Sequence, residues 1–299
     1  MRSFPELKNK LILAPMEGVT YLPFRLLCRR YGASLAFTPQ TSAIALIRNN
    51  EKSIKRIETN SEDKPIGLQL FGRNPDILVE AAKKYGKPFD IIDLNFGCPS
   101  KKIVAQGYGS ALLKEKDKIF EIVNSLVSNI NKPITVKMRS GFKKVEALEL
   151  VKVIEKAGAS AITIHARTQE QKYSGKADWN IIKQAKDSVS IPIIGNGDVT
   201  SGALAKEMLK IADYCMIGRA AMKNPAIFKQ ILYYFSTGKE LEINKLEIFN
   251  EYIKLENNFK LIKLRANDLT KGFEGSSKLR LKLQKAKDIK EVKQLIQKG

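Results

Sequence analysis

The sequence predicts an α/β protein: a (β/α)8 TIM barrel followed by a small all-helical C-terminal domain. Short apolar runs rich in β-branched residues recur along most of the chain, and each is followed by a turn and a stretch of helical periodicity. Eight such runs are present, and several are apolar on both faces, as parallel strands covered by helices are. A doubly wound sheet ordinarily has about five or six strands, so eight runs favour the barrel.

The apolar runs place the eight strands in chain order. They are residues 11–14, 35–38, 66–70, 91–95, 134–138, 161–165, 192–195 and 214–217. In such a barrel, function lies at the face where the strands have their C-terminal ends. Polar side chains and glycine turns follow most of these strand ends, so we expect the active site at this face.

The strand pattern ends after Phe235, and Ser236, Thr237 and Gly238 predict a linker. We therefore divide the chain into a barrel domain, residues 1–238, and a helical domain, residues 239–299. Apolar residues recur there at helical spacing. Residues 240–258 carry a net charge of −3 and residues 259–299 a net charge of +8, so the basic surface of the helical domain lies at its far end.

Composition indicates a cytoplasmic protein. Of the 299 residues, 43% are hydrophobic and 28% are charged, and no apolar run approaches the ~18 residues of a membrane-spanning helix. The first apolar stretch is too short for a secretion signal and continues into the first strand. We expect no membrane association, and we expect a monomer.

The charge balance indicates a polyanionic partner. The chain has 52 Lys and Arg against 31 Asp and Glu, a net charge of +21, and nucleic acid is the first candidate. A lysine-rich solvated surface without such a partner explains the charge equally well.

Cys98 is the cysteine that stands apart. The three cysteines show neither metal-site spacing nor a disulfide framework, so we expect no metal. Cys28 and Cys215 lie in apolar runs, whereas Cys98 follows a strand end, between Gly97 and Pro99. A nucleophilic thiol needs a partnered base, and the single histidine is two strands away. An acid needs only its own proton, which a thiol ordinarily keeps at neutral pH, so Cys98 is interpreted as a proton donor.

The segment that follows Cys98 predicts a basic loop able to move. Gly97 and the turn at residues 107–109 bracket it, and it contains Lys101 and Lys102.

Lys137 and His165 lie at the ends of neighbouring predicted strands. Lys137 interrupts an apolar strand, and a lysine there either reaches the barrel rim or faces a negative partner such as a reduced flavin. His165 is the only histidine, and a lone histidine at a strand end is more often structural than functional. Its position beside Lys137 favours a functional role.

The turns after the last two strands predict a phosphate site. They are residues 195–198 (Gly-Asn-Gly-Asp) and residues 218–219 (Gly-Arg), where barrels of this type often hold a phosphate. No G-x-G-x-x-G follows a strand, so a Rossmann nicotinamide fold is not indicated.

The residues at the strand ends form a motif series that resembles, in the same order, that of the tRNA-dihydrouridine synthases. The motifs are APMEGVT at 14–20, QLFG at 69–72, NFGCP at 95–99, KMRSG at 137–141, HART at 165–168, GNGD at 195–198 and GR at 218–219. The resemblance covers nearly the whole barrel. Lys271-Gly272-Phe273 and Leu279-Arg280 are similar, less distinctively, to the family's helical tRNA-binding domain.

This resemblance implies an FMN-binding barrel with NADPH or NADH as reductant. The residues that it assigns to the cofactor are Ala14, Pro15, Met16, Gln69, Lys137, His165, Asn196, Gly197, Asp198, Gly218 and Arg219. It also implies that Cys98 is the proton donor. The substrate residues are Asn95 and Arg139 for the uracil, with Lys101, Arg167, Lys271 and Arg280 as further contacts of the tRNA.

The implied reaction saturates the C5=C6 bond of a uridine in tRNA. Hydride from flavin N5 adds at C6, and Cys98 protonates C5. One alternative is an FMN barrel that acts on a free pyrimidine, like a dihydroorotate dehydrogenase, which leaves the basic tail and residues 95–99 unexplained. Another is a tRNA-binding protein on a barrel that has lost catalysis, which the presence of Cys98, Lys137 and His165 opposes.

Overall fold

The structure is a computed structural model that describes residues 2–271 and 276–297. The strands are β1 (Leu11–Leu13), β2 (Ala36–Phe37), β3 (Thr41–Ser42), β4 (Ile66–Phe71), β5 (Ile91–Phe96), β6 (Ile134–Arg139), β7 (Ala161–His165), β8 (Ile193–Asn196) and β9 (Tyr214–Ile217). Gly272 and Phe273 of the tail motif lie outside the described residues.

Helices follow the strands and continue beyond the last one. They are α1 (Leu22–Arg30), α2 (Ala43–Ile47), α3 (Glu51–Arg56), α4 (Pro75–Tyr85), α5 (Lys101–Ala105), α6 (Lys116–Asn129), α7 (Ala147–Lys156), α8 (Trp179–Ser188), α9 (Gly202–Ile211), α10 (Arg219–Lys223), α11 (Ile227–Thr237), α12 (Lys245–Leu255), α13 (Phe259–Leu269), α14 (Ser276–Lys285) and α15 (Ile289–Gln297), with a 3-10 helix at Gly109–Lys114. Several begin at a side chain that accepts a free backbone N–H of the first turn: Asn74, Asp178, Ser201, Asn244 and Asn258.

The strands form one parallel barrel, which confirms the predicted fold class. The order in the sheet is β1-β9-β8-β7-β6-β5-β4-β2, and every pairing is parallel. A bridge between Ile12 and Leu35 brings β1 to the segment before β2, and the N–H of Leu13 donates to the carbonyl oxygen of Leu35 at 2.9 Å. The ring of strands is thereby closed.

All eight predicted strands are present, and their ends lie within one residue of the prediction. The prediction missed β3, because two polar residues, Thr41 and Ser42, show no alternation of apolar and polar side chains. This short strand pairs with the C-terminal end of β4, at Leu70 and Phe71.

The barrel has two apolar layers because successive strand residues face opposite sides. One face packs against the surrounding helices. The other fills the interior with Ile12, Ala14, Leu35, Phe37, Ile91, Ala161, Ile194 and Met216. Gly67 leaves room for the Phe37 ring, since a Cβ there would lie 2.3 Å from it. Toward the C-terminal ends of the strands the interior becomes polar, and this change sets the position of the site.

The predicted linker is mostly helix. Ser236 and Thr237 are the last residues of α11, and their hydroxyls donate to the carbonyl oxygen of Tyr233. Gly238 ends the helix in the left-handed conformation, with φ 71°. The prediction was wrong here because serine and threonine bonded to the preceding turn continue a helix.

A buried arginine lies where the tail meets the barrel. Arg265 on α13 is 2% exposed, and its guanidinium lies 4.2 Å from the ring centre of Phe24 on α1. It also pairs with Asp268 at 2.9 Å. The tail helices are therefore packed against the barrel through a stacked and paired cation.

Candidate active site

A buried carboxylate lies in the polar layer of the barrel. Asp93 on β5 accepts hydrogen bonds from Nε2 of Gln69 on β4, at 2.7 Å, and from the hydroxyl of Thr135 on β6, at 2.6 Å. Strand register sets these contacts, because Asp93 lies opposite both residues in the sheet. Burial raises the pKa of Asp93 to about 7, although both hydrogen bonds favour its charged form.

The hydrogen bonds continue from Gln69 to the segment that carries Cys98. Oε1 of Gln69 accepts from Nδ2 of Asn95, at 2.9 Å. Oδ1 of Asn95 then accepts the backbone N–H groups of Gly97 and Cys98, at 3.1 and 2.9 Å. Asn95 therefore positions the Cys98 backbone, and its contact with a uracil stays a prediction.

Cys98 lies at the barrel mouth but is nearly covered, with 9% exposure. Its carbonyl oxygen accepts from the hydroxyl of Ser110 at 2.8 Å. Nε2 of Gln40, from the segment between β2 and β3, donates to Sγ at 3.1 Å. Cys98 is thus held at its backbone by Ser110 and at its sulfur by Gln40.

Lys137 on β6 points toward β8. Its Nζ lies 3.2 Å from Oδ1 of Asn196, whose Nδ2 donates to the carbonyl oxygen of Met216 at 2.8 Å. Burial and, to a smaller extent, the charge of Arg139 lower the pKa of Lys137 to about 8, although the charges of Asp93 and Cys98 oppose the shift. Within the part of the chain that the structure describes, its hydrogen-bond partner is a neutral amide, so a bound anion would complete its environment.

His165 is neutral, because its pKa falls to about 2. Burial is the largest cause, and the charges of Lys137, Arg139, Arg167 and Arg219 add to it. NH1 of Arg167 lies 3.4 Å from Nε2 of His165. Since a guanidinium can only donate, Nε2 is the accepting nitrogen and Nδ1 carries the proton.

Arg139 binds three backbone carbonyl groups and so joins the segment after β5 to the loop after β7. Its guanidinium donates to the carbonyl oxygens of Gly97 at 3.0 Å, Thr168 at 3.0 Å and Lys172 at 2.7 Å. The side chain is 2% exposed, and burial lowers its pKa. Most N–H donors of Arg139 are therefore already bound, and its contact with a uracil remains a prediction.

Two arginines share the carboxylate of Asp198 in the turn after β8. Arg167, 2% exposed, lies 2.7 Å from Oδ2, and the half-exposed Arg219 lies 2.9 Å from Oδ1. Burial opposes the charge of Asp198, but the hydrogen bond from Arg167 keeps its pKa below the usual value. Arg167 also donates to the carbonyl oxygens of Ser174 and Gly175. Asp198 therefore orients the arginines at the predicted phosphate site.

The turn after β8 depends on glycine. Gly197 has φ 129°, and a Cβ there would lie 2.8 Å from Cβ of Ala177 and 3.3 Å from Cδ2 of His165. Its carbonyl oxygen accepts from Nε1 of Trp179 at 3.0 Å. The turn is therefore packed directly against His165.

The ends of β1 and β9 meet at the mouth. A Cβ at Gly218 would lie 3.5 Å from Cβ of Ala14 and 3.9 Å from Sδ of Met16. Ala14 is buried, whereas Pro15 and Met16 are half-buried and border the mouth. The fold brings these predicted cofactor residues together with those on the other strands.

The predicted basic loop contains a helix, α5, so that prediction was wrong. The N–H of Val104 donates to the carbonyl oxygen of Ser100 at 2.9 Å, which closes one turn. Lys101 and Lys102 are exposed at its start.

The predicted contacts of the tail, Lys271 and Arg280, bond to residues of the tail itself. Lys271 pairs with Asp268 at 2.6 Å, and its side chain is 34% exposed. NH2 of Arg280 on α14 is 3.3 Å from the hydroxyl of Ser277. A phosphate would have to compete with Asp268 for Lys271.

Sequence reasoning assigned no role to three residues of the site: Gln40, Asp93 and Tyr173. The polar positions 93 and 95 within an apolar strand indicate a polar inner face, so Asp93 could have been found. Tyr173 is 55% exposed at the mouth, with Arg219 at 4.8 Å and Arg139 at 5.4 Å from its ring centre. No sequence signal marks Gln40 or Tyr173.

Across residues 2–271 and 276–297, no group of three or more His, Cys, Asp and Glu side chains is arranged to hold a metal ion. Among the same residues, no helix is both long and apolar enough to span a bilayer.

Residues 12–298 match the family model described as dihydrouridine synthase (Dus). A probable tRNA-dihydrouridine synthase of Rickettsia conorii is 43% identical over 241 residues, covering 79% of this chain and 73% of that protein. The tRNA-dihydrouridine synthase B of Pseudomonas aeruginosa is 38% identical over 240 residues, covering 79% and 72%. A probable tRNA-dihydrouridine synthase of Aquifex aeolicus is 35% identical over 302 residues, covering 95% and 94%.

Among solved structures, the chain is similar to a histamine dehydrogenase from Rhizobium sp. 4-9. The TM-score is 0.58 at 16% sequence identity, covering 86% of this chain and 50% of the other. At this identity the likeness concerns the fold alone.

Proposed function

This chain belongs to the dihydrouridine synthase family, and from that premise we propose that it reduces the C5=C6 bond of a uridine in tRNA to 5,6-dihydrouridine. We further propose FMN as the cofactor and NADPH or NADH as the reductant. The observation that carries the proposal is the meeting of Cys98, Asn95, Lys137 and His165 at one barrel mouth, with a surplus of positive charge around them.

The charges of the site fit an anionic flavin nucleotide. Four cations act on His165, and one carboxylate, Asp198, pairs with two of them. Lys137 is half-buried against a neutral amide, which leaves its charge without a balancing anion among the hydrogen-bond partners that the described residues supply. A phosphate and an electron-rich ring would balance this charge.

Held in this mouth, FMN would have eleven proposed contacts: Ala14, Pro15, Met16, Gln69, Lys137, His165, Asn196, Gly197, Asp198, Gly218 and Arg219. When bound and reduced, it supplies the hydride. Lys137 would stabilise negative charge on the ring. Arg219, oriented by Asp198, would face the phosphate.

Cys98 would hold the proton that completes the reaction. Addition of hydride at C6 of uracil leaves an electron pair shared between C5 and the C4 carbonyl. The S–H bond of Cys98 then breaks, and its proton forms the new C5–H bond. Asn95 and Arg139 would orient the uracil, and both are held rigidly by backbone contacts.

The tRNA must deliver an unstacked base to this mouth. A uridine in folded RNA is out of reach while it is stacked, so binding has to draw it out. We treat the tail, residues 239–299, as a tRNA-binding domain. The proposed contacts of the tRNA are Lys101 and Arg167 on the barrel and Lys271 and Arg280 on the tail. A tRNA substrate makes the cytoplasm the expected location, and we retain a monomer as the working hypothesis.

Mapping of dihydrouridine in tRNA from cells with and without this gene tests the proposal. Loss of the modification at one or more positions is expected, together with a yellow purified protein that has a flavin absorption band. Reduction of a free pyrimidine with tRNA left unchanged would favour the dihydroorotate dehydrogenase-like alternative. A colourless protein that binds tRNA without reducing it would favour a non-catalytic role.

A further inference from the structure

Gln40 contacts the sulfur of Cys98 from the segment after β2, which is separated from β5 by β4 in the sheet. The amide Nε2 donates to Sγ at 3.1 Å, across 58 positions of sequence. Among residues 2–271 and 276–297, no other side chain forms a hydrogen bond with the Cys98 sulfur. Gln40 was not among the residues that the sequence or the family resemblance assigned to the site.

The backbone holds Gln40 firmly at this point. Before it, the N–H of Thr38 donates to the carbonyl oxygen of Gly67 at 3.0 Å, and the hydroxyl of Thr38 accepts the N–H of Gln69 at 3.0 Å. After it, β3 pairs with the end of β4. Gln40 is therefore fixed between β2 and β3, each of which pairs with β4.

The other end of the amide has no partner. Oε1 of Gln40 is buried and accepts no hydrogen bond from the described residues. A buried acceptor left unpaired is unfavourable, so it is ordinarily satisfied by something that binds beside it. The free oxygen lies on a side chain that touches the proposed proton donor, where a substrate ring would bring a donor such as the N3–H of uracil.

We propose that Gln40 is a second catalytic side chain of the proton transfer, whose amide N–H stabilises the negative charge left on Sγ when Cys98 protonates the substrate. This inference rests on the proposed function. As the S–H bond breaks, its electron pair stays on sulfur, and the proton joins the electron pair at C5 of the uracil. Hydrogen bonds to charged groups are stronger than those to neutral ones, so the Gln40 contact strengthens as the proton leaves.

Alkylation of Cys98 by iodoacetamide tests the contact without tRNA. Cys28 and Cys215 are 0% exposed, so Cys98 is the thiol that reacts in the folded protein, and Cys98→Ala supplies the blank. Gln40→Met keeps the length of the side chain but removes the N–H. We expect its alkylation rate at pH 7 to fall about tenfold, as loss of a hydrogen bond to a charged group predicts. Gln40→Glu, which places a carboxylate beside the sulfur, should react more slowly still.

Two comparisons separate charge stabilisation from altered access. At high pH, where every thiol is ionised, the rates of wild type and Gln40→Met should converge. The matched control is Gln106→Met, the same change at an exposed glutamine just after α5, which should alkylate like wild type. The proposal would be overturned if Gln40→Met still alkylates more slowly than wild type at high pH, or if the two alkylate at equal rates at pH 7.

Turnover gives a second readout. In Gln40→Met, kcat for tRNA reduction should fall about tenfold, and the solvent isotope effect should rise because proton transfer limits the rate. An unchanged isotope effect and kcat would contradict the role of Gln40. If the wild type reduces no tRNA, the proposed function fails instead, and the alkylation rates still decide whether Gln40 stabilises the sulfur.

Discussion

At the scale of single residues, Asp93 sets the direction of the hydrogen bonds that reach Cys98. When Asp93 is ionised, its carboxylate only accepts, so Gln69 turns its NH2 group toward Asp93 and its oxygen toward Asn95. Asn95 then presents its own oxygen to the N–H of Cys98. A residue that no motif assigned to the site therefore determines the orientation of two amides.

The first prediction concerns Asp93→Asn and the pH dependence of stability. The folded-state pKa of Asp93 is about 7, above its ordinary value of 3.8, so the folded protein binds this proton more tightly than the unfolded chain. The resulting stabilisation is complete below about pH 4 and is lost as the pH rises through about 7. The variant should lose this part of the pH dependence, as measured by urea unfolding of the apoprotein between pH 4 and 8. Asp76→Asn, at an exposed carboxylate, is the control, and an unchanged slope in Asp93→Asn would contradict the assignment.

The second prediction concerns Lys137→Met. Loss of the ammonium should slow reduction of the bound flavin by NADPH, because the electron-rich ring loses its charge partner. Stopped-flow absorbance at the flavin band measures the rate. Lys137→Arg keeps the charge and should retain more of the rate than the methionine variant, whereas wild-type rates in both would sink the proposed role.

The third prediction concerns Cys98→Ala. The protein should retain its flavin and its reduction by NADPH, since the thiol supplies a proton and holds no cofactor. Reduction of tRNA should be lost, as measured by dihydrouridine content after incubation with unmodified tRNA. Near-normal turnover would remove Cys98 as the acid.

At the scale of elements, one carboxylate fastens the segment before β4 to α1. Asp63 is fully buried and lies 2.8 Å from both Arg25 and Arg29, two residues that are one turn apart on α1. Arg25 also donates to the carbonyl oxygen of Glu58 at 2.6 Å. The long connection that leads into β4 is therefore held to α1 by paired charges.

The fourth prediction is that Asp63→Ala lowers the free energy of unfolding by about 3–5 kcal/mol, because it leaves a buried guanidinium unpaired. Chemical denaturation measures the change. Asp187→Ala is the matched control: it removes the exposed Lys183–Asp187 pair on α8 and should cost less than about 1 kcal/mol. Equal effects of the two variants would show that burial of the ion pairs of Asp63 with Arg25 and Arg29 adds nothing to the free energy of unfolding.

At the scale of the whole molecule, the net charge is +21, and residues 259–299 of the tail contribute +8 of it. The fifth prediction is that the double change Lys271→Ala and Arg280→Ala weakens tRNA binding at moderate salt and flattens its salt dependence by roughly two units of slope, since each phosphate contact releases counterions. Binding titrations at several salt concentrations measure both quantities. FMN content should not change.

The matched control for the tail is Lys183→Ala with Lys210→Ala, which also removes two positive charges. These lysines border a cleft with Lys10 and Asp213, at the N-terminal ends of β1 and β9, opposite the mouth. Their loss should leave the salt slope unchanged. If the tail variant behaves like this control, the RNA contacts belong to the lysines at the barrel mouth, such as Lys101.

The sequence by itself determined the barrel and the face at which its motifs gather. Strand and helix periodicities are local patterns, and the strand ends of a parallel barrel open on one side, so the positions of Cys98, Lys137 and His165 followed without coordinates. Tertiary structure alone decided which side chains meet. Gln69 bonds Asp93 because β4 and β5 pair in one register, and Gln40 reaches Cys98 because the two-residue strand that follows it pairs with the end of β4. Such contacts join residues far apart in the chain, and the burial that raises the pKa of Asp93 and lowers that of His165 exists only once the barrel has closed.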